Sequence, residues 1–192
     1  VTETLNPDQP SDASVPAFGA GRRLRATEPR YMEVLDFLWE EASVLDRDDL
    51  IGWKAMLDQA IVYRMPVCVT RKRHSGESFE TATMHFDEDY LSIAFRIRRF
   101  VETQAWAADP PTRARRFVTG VRVWQGATPD VFDVTSSLLL VRSADDDYRT
   151  DILTAERFDR VRFAADGTPL LRDRKIIADQ STIGTHNLAV FL

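Results

Sequence analysis

The stretch RRFVTGVRVWQGATPDVFDVTSSLLLVRS, Arg115–Ser143, decides the fold. It holds two runs rich in β-branched and aromatic residues, Arg115–Trp124 and Asp130–Ser143, joined through the turn-forming GATPD. In the second run Phe132, Val134, Ser136, Leu138 and Leu140 alternate with Val131, Asp133, Thr135, Ser137, Leu139 and Val141. Both sets carry apolar residues, which predicts a central strand covered on two faces. Downstream, Asp147–Ala164 and Pro169–Gln180 have the same character, with ADDD and ADGT as separating turns. Asp166–Gly167 is a strong hairpin signal, because that pair tolerates the positive φ a tight turn needs. The last third of the chain therefore reads as an antiparallel meander.

Upstream the period changes. PRYMEVLDFLWEEASVLD, Pro29–Asp46, places Tyr31, Val34, Leu35, Leu38, Ala42 and Leu45 on one helical face, with Thr27 as candidate cap and Pro29 in the first turn. A short second helix is expected from Asp46 or Asp48, carrying Leu50, Ile51, Trp53 and Leu57. Ala60–Val69 reads as a strand that Pro66 confines to an edge or a bulge. Arg71–Glu80 reads as a hairpin connection and Thr81–Phe86 as a short strand. Asp87–Phe100 suits a helix capped by Asp87 or Asp89, with Leu91, Ala94, Phe95 and Arg98 or Arg99 recurring at helical spacing. Helices first and a curved, mainly antiparallel sheet last define an α+β fold. Long strands bending round two or three helices make a cone with a cavity. Residues 1–28 read as an extended N-terminal arm and 29–192 as a single domain. In the arm Val15, Phe18 and Leu24 are sparse apolar points, fitting either a tail or an arm that orders against a partner subunit.

The 192 residues carry 25 basic and 30 acidic side chains, a formal net charge of -5. That balance argues against nucleic acid and anionic membrane as partners. The single cysteine, Cys68, excludes an internal disulfide and fits a reducing, cytoplasmic setting. The first residues lack the basic start and apolar run of a secretory signal. A Rieske cluster needs two cysteines and two histidines, so one cysteine cannot build it. With His74, His85 and His186 a mononuclear iron triad of two histidines and a carboxylate is arithmetically possible, but no tight histidine spacing supports it, and no metal or cofactor is expected in this chain. No glycine loop for phosphate and no Gly-x-Ser-x-Gly elbow occurs. Asp58, Tyr63 and His85 could converge at the mouth of a cone for acid–base dehydration or isomerisation; equally, Asp58 ends a helix, Tyr63 is a core aromatic and His85 pairs with Asp87.

The remaining signal is interfacial. Trp106 stands before Pro110–Pro111, and Arg113, Arg115 and Arg116 open the strand that follows. Arg98 and Arg99 sit on the helix before it. Arginine and tryptophan are enriched where proteins meet. Strand alternation predicts Arg113 and Arg115 on one face and Arg116 with Val118 on the other.

Four stretches in order carry a family resemblance: FLWEEASVLDRDDLIGWKAMLDQAIVYRMPV, HFDEDYLSIAFRIRRF, AWAADPPTRARRFVTGVRV and RKIIADQSTIGTHNLAVFL. Over roughly residues 30 to 192 the chain resembles the beta subunits of bacterial aromatic-ring-hydroxylating dioxygenases of the biphenyl, benzene, cumene and naphthalene type. The resemblance implies the cone fold of nuclear transport factor 2 and scytalone dehydratase, with no catalytic residue in this chain. It implies a heterohexamer of three alpha and three beta subunits. The alpha subunit would hold a Rieske [2Fe-2S] cluster and a mononuclear Fe(II), and cis-dihydroxylate an arene with O2 and electrons from NAD(P)H through a reductase and ferredoxin. Arg142 and Asp145–Asp147 depart from the family's pattern at that turn. The reading of the residues alone also fits a stand-alone dehydratase, isomerase or small-molecule binding module on the same cone.

Overall fold

A computed structural model describes residues 18–69, 79–102, 113–143, 150–183 and 190–192. Helix α1, Pro29–Asp46, buries Val34, Phe37, Leu38, Glu41, Ala42, Val44 and Leu45. Its N-cap is Glu28 rather than Thr27, and no side chain caps it. The Glu28 carboxylate instead accepts from the Arg25 N–H and from both Arg22 Nη atoms. Helix α2, Leu50–Ala55, starts neither at Asp46 nor at Asp48 but after Asp49, whose carboxylate accepts from the Gly52 N–H at 2.8 Å. Asp48 separates the two helices because its φ of 58° is left-handed and cannot continue either. Leu57 opens strand β1, Leu57–Cys68, rather than ending α2.

Strand β2, Phe79–Glu88, leads into α3, Tyr90–Glu102. Asp89 and Ser92 cap that helix reciprocally: the Asp89 carboxylate accepts from Ser92 N–H, and Ser92 Oγ accepts from Asp89 N–H, each at 2.8 Å. The strands β3 (Arg113–Gln125), β4 (Val131–Ser143), β5 (Thr150–Phe163) and β6 (Pro169–Ala178) follow. The six-stranded sheet runs β2-β1-β6-β5-β4-β3. All pairings are antiparallel except β1 with β6. β4 is an inner strand between β3 and β5, but over most of its length it is covered on one face and not two. Phe132, Val134, Ser136, Leu138 and Leu140 face the core, whereas Ser137 is exposed and Thr135, Leu139 and Val141 are half-buried on the back of the sheet, where no helix packs among the described residues. Pro66 lies in an inner strand, so of the two positions open to it the bulge applies: the β1–β2 register shifts on both sides of it.

α1 shields the free edge of β3, which would otherwise present unpaired backbone groups. Leu24 N–H donates to the Val123 carbonyl and Gln125 N–H to the Arg22 carbonyl, both at 2.9 Å. Tyr31 Oη donates to the Val121 carbonyl at 3.0 Å, and the Asp46 carboxylate accepts from Arg116 N–H at 3.1 Å. Residues 22–24 thus pack on the domain, with Leu24 buried; residues 1–17, and Val15 with them, lie outside the described residues.

The stripe read on α3 is the outer one. Ile93 and Ile97 are buried, whereas Leu91 and Phe95 are 65% and 64% exposed. The helix carries two apolar pairs at i, i+4, and the one continued by the half-buried Phe100 docks.

Candidate subunit interface

The inside of the cone is packed with aromatic rings and paired charges. Glu41 of α1 accepts from Arg174 Nη1 at 2.7 Å and Nη2 at 2.8 Å, and from Trp53 Nε1 at 3.0 Å. Arg174 also binds both oxygens of Asp159, at 2.8 and 2.7 Å. Arg157 lies 3.6 Å from Glu41 and donates to Ser136 Oγ at 3.1 Å. Two arginines thus balance two carboxylates, all almost fully buried. Burial opposes the Glu41 charge, yet the Arg174 and Arg157 guanidinium groups hold its carboxyl below the ordinary range. Burial likewise disfavours the charge on Arg174, but Asp159 and Glu41 raise its pKa well above the arginine value. Above this network Phe191 fills the centre, its ring 4.2 Å from Trp53 and edge-on to Tyr63 and Phe100. Among the described residues no group of three or more His, Cys, Asp or Glu side chains could hold a metal ion.

Asp58, Tyr63 and His85 each have surroundings of their own. Asp58 engages Arg162 and the Ala60 N–H at the start of β1. Tyr63 is buried, and its hydroxyl is bonded to Leu192. The β1–β2 register passes from Met65↔Phe86 to Pro66↔Met84, so His85 is the extra residue of a bulge with no partner on β1. Asp87 does not wait on His85: its cross-strand neighbour Arg64 donates to it through Nε at 2.8 Å. His74 and His186 lie outside the described residues.

The arginines divide as strand geometry requires. Arg113 and Arg115 face outward, and the Arg115 side chain is 69% exposed with one Nη 3.5 Å from Asp46. Arg116 turns inward and is buried. It donates through Nη1 to Asp46 at 2.8 Å and through Nε and Nη2 to the Phe191 carbonyl at 3.2 and 2.8 Å. Arg98 and Arg99 are exposed on α3, where Arg98 meets Glu102 one turn on at 2.8 Å. Trp106, Pro110 and Pro111 lie outside the described residues.

Besides Met32 and Trp39 of α1 and Ile51 of α2, exposed apolar side chains gather on two further outer faces. One is α3, through Leu91, Phe95 and Val101. The other is the back of the sheet, where Arg115, Val141 and Ile152 are directly opposed across three strands and Phe117, Leu139 and Thr154 form the next row. Phe117 is 52% and Ile152 58% exposed. Single exposed apolar side chains are ordinary on a monomer, but ladders of them flanked by arginines have the composition of interfaces. Sequence reasoning missed the sheet face and the buried ion network. The first needs the cross-strand register. The second leaves a trace in the sequence: Glu41 falls on the apolar face of α1, and Arg157 and Asp159 fall on the inward parity of β5.

A curved six-stranded sheet packed on three helices, with Phe191 and the Glu41–Arg174–Asp159 network inside it among the described residues, defines an α+β cone. The ring hydroxylating beta subunit family model matches residues 40–185, and the chain belongs to that family. Its fold is shared by naphthalene 1,2-dioxygenase, with a TM-score of 0.77, 21% identity and coverage of 89% of this chain and 90% of that one. The beta subunit of benzoate 1,2-dioxygenase from Burkholderia mallei aligns at a TM-score of 0.64 and 14% identity, over 88% of this chain and 100% of the other. A scytalone-dehydratase-type protein of Novosphingobium aromaticivorans shares the cone at a TM-score of 0.58 and 12% identity, over 84% and 91% of the two chains.

Proposed function

We propose that this chain is the non-catalytic, structural beta subunit of a Rieske non-heme iron aromatic-ring-hydroxylating dioxygenase. The carrying observation is the closed cone. The space where a dehydratase or isomerase of this fold would need substrate is taken by Phe191, and the acid–base groups there are committed to each other as Glu41–Arg174–Asp159. Membership of a beta-subunit family supports an alpha subunit as partner, and the proposed assembly is a hexamer of three alpha and three beta subunits. The Rieske cluster and mononuclear Fe(II) belong to the alpha subunit, which receives electrons from NAD(P)H through a reductase and ferredoxin and dihydroxylates an arene. The exposed ladders on α3 and on the back of the sheet, with Arg98, Arg99, Arg113 and Arg115 beside them, are the surfaces this chain offers to neighbours. Arg116 acts from inside, by fixing the start of β3, and Trp106, which the sequence places between α3 and β3, is proposed as a further interface residue.

The test is co-expression with the alpha subunit, followed by native mass measurement and iron analysis. The expected result is a hexamer whose iron stays with the alpha chain when the subunits are separated. Iron bound stoichiometrically by this chain alone, or arene turnover by it, would overturn the proposal.

A further inference from the structure

Phe191 and Leu192 are held differently from an ordinary core pair. They lie in no helix or strand, and their backbone polar groups bond to side chains of three other elements. The Phe191 carbonyl accepts twice from Arg116 of β3. Leu192 N–H donates to Tyr63 Oη of β1 at 2.8 Å, and the Leu192 carbonyl accepts from Tyr63 Oη at 3.1 Å and from Arg174 Nη1 of β6 at 2.9 Å. The Phe191 ring sits in a cage. Trp53 lies at 4.2 Å tilted 36°, Phe100 stands edge-on at 6.2 Å, and the Arg96 guanidinium lies over the ring at 3.8 Å. This is how a protein holds a ligand: an apolar box for the ring and a few fixed polar groups for orientation.

The receptor is complete without its occupant. Arg116 keeps Asp46, Arg174 keeps Glu41 and Asp159, and Arg96 keeps Glu88 in charge contact at 2.9 Å. The arginine donors that meet the segment are therefore oriented by other partners, and Tyr63, whose hydroxyl bonds Leu192, is held on β1; none of these elements includes residues 190–192. The Arg96 nitrogens are buried and find no aligned hydrogen-bond acceptor, although the Glu88 charge is close, and the guanidinium lies over the rings of both Phe191, at 3.8 Å, and Phe86, at 4.5 Å.

We infer that the interior of the cone is an aryl-acyl binding site whose resident occupant is the chain's own Phe191–Leu192, and that removing this segment uncovers a pocket for a benzene-sized ring bearing a carbonyl. The inference stands apart from the subunit role, because it concerns what the interior recognises and not what the exterior joins.

Two variants of the full chain test it. The first lacks residues 190–192, and the probe is N-acetyl-phenylalanyl-leucine, read by calorimetry and thermal shift. Saturable one-to-one binding with Kd below about 1 mM is expected, at least about tenfold weaker for N-acetyl-alanyl-leucine, since the cage contributes through the ring. The second is Phe191→Ala, probed with fluorobenzene by fluorine NMR. Saturable binding in the variant and none in the parent chain is expected. If either variant does not fold alone, its probe is added during refolding, and recovery of a cooperative melt supports the site. A folded truncated chain that ignores the dipeptide, equal affinity for the alanyl dipeptide, or failure of both probes to bind or rescue would overturn it. None of these results bears on whether the chain assembles with an alpha subunit.

Discussion

Arg174 carries more of the interior than any other single residue, because it joins α1, β5 and β6 through Glu41 and Asp159 and reaches the Leu192 carbonyl. Breaking a buried pair from one side leaves an uncompensated charge. Arg174→Ala is therefore expected to destabilise the chain by about 3–5 kcal/mol, measured by urea unfolding. Glu41→Gln tests the same network through pH. Glu41 is held below its ordinary 4.5 despite burial, by Arg174 and Arg157. A carboxylate depressed in the folded state contributes stability that is complete above its unfolded value and is lost as pH falls through the folded one. The parent chain should therefore lose stability as pH drops below 4.5, and Glu41→Gln should be weaker at neutral pH but flatter over that acid range. An unchanged slope in the variant would move the acid sensitivity to other carboxylates. None of these charges was legible as a site in the sequence. Alternation marks which strand residues point inward, but a lone arginine on the inward parity reads as a break in the pattern until its partners on other strands are placed beside it.

At the scale of elements, β3 separates two arginine roles within one dipeptide. Arg115 is exposed and its contact with Asp46 is long, so Arg115→Ala should cost the isolated chain under about 1 kcal/mol. Arg116 is buried against Asp46 and the Phe191 carbonyl, and Arg116→Ala should cost about 2–5 kcal/mol by stranding the carboxylate. Thermal melts of the two variants side by side decide this, and equal losses would contradict the inside–outside division. The alternation that predicts it was readable, because a one-residue step in a strand always changes face. The same period made β4 recognisable as a central strand. Elsewhere periodicity was ambiguous. α3 carries Leu91–Phe95 and Ile93–Ile97 at identical spacing, and only packing against β1 and β2 selects the second pair. Pro66 left edge and bulge equally open until the register showed β1 enclosed by β2 and β6. The outward pair gives its own prediction. Phe95→Asp should leave the melting temperature of the isolated chain nearly unchanged, since the side chain is 64% exposed, and should lower the fraction of chain that copurifies with an alpha subunit.

For the whole molecule, the proposed structural role makes assembly the property to test, and the apolar patches on the outer faces are where to test it. The back of the sheet places Phe117 and Ile152 on adjacent cross-strand rows with Arg115 beside them, and α3 presents a second such surface. A charge on the sheet face must be desolvated if a neighbour covers it and costs little if water does. Phe117→Glu is accordingly expected to leave the chain folded by circular dichroism while shifting the complex toward free subunits in sedimentation. Arene turnover should fall in proportion to the hexamer lost, with the iron of the alpha subunit unchanged, and should return when excess variant chain drives assembly by mass action. A catalytic contribution from this chain has a different signature: a full hexamer with a slower chemical step, and no recovery at high concentration. Because each branch predicts a distinct relation between turnover and assembled mass, one titration of the variant chain against the alpha subunit, read by both sedimentation and product formation, separates a scaffold from a participant.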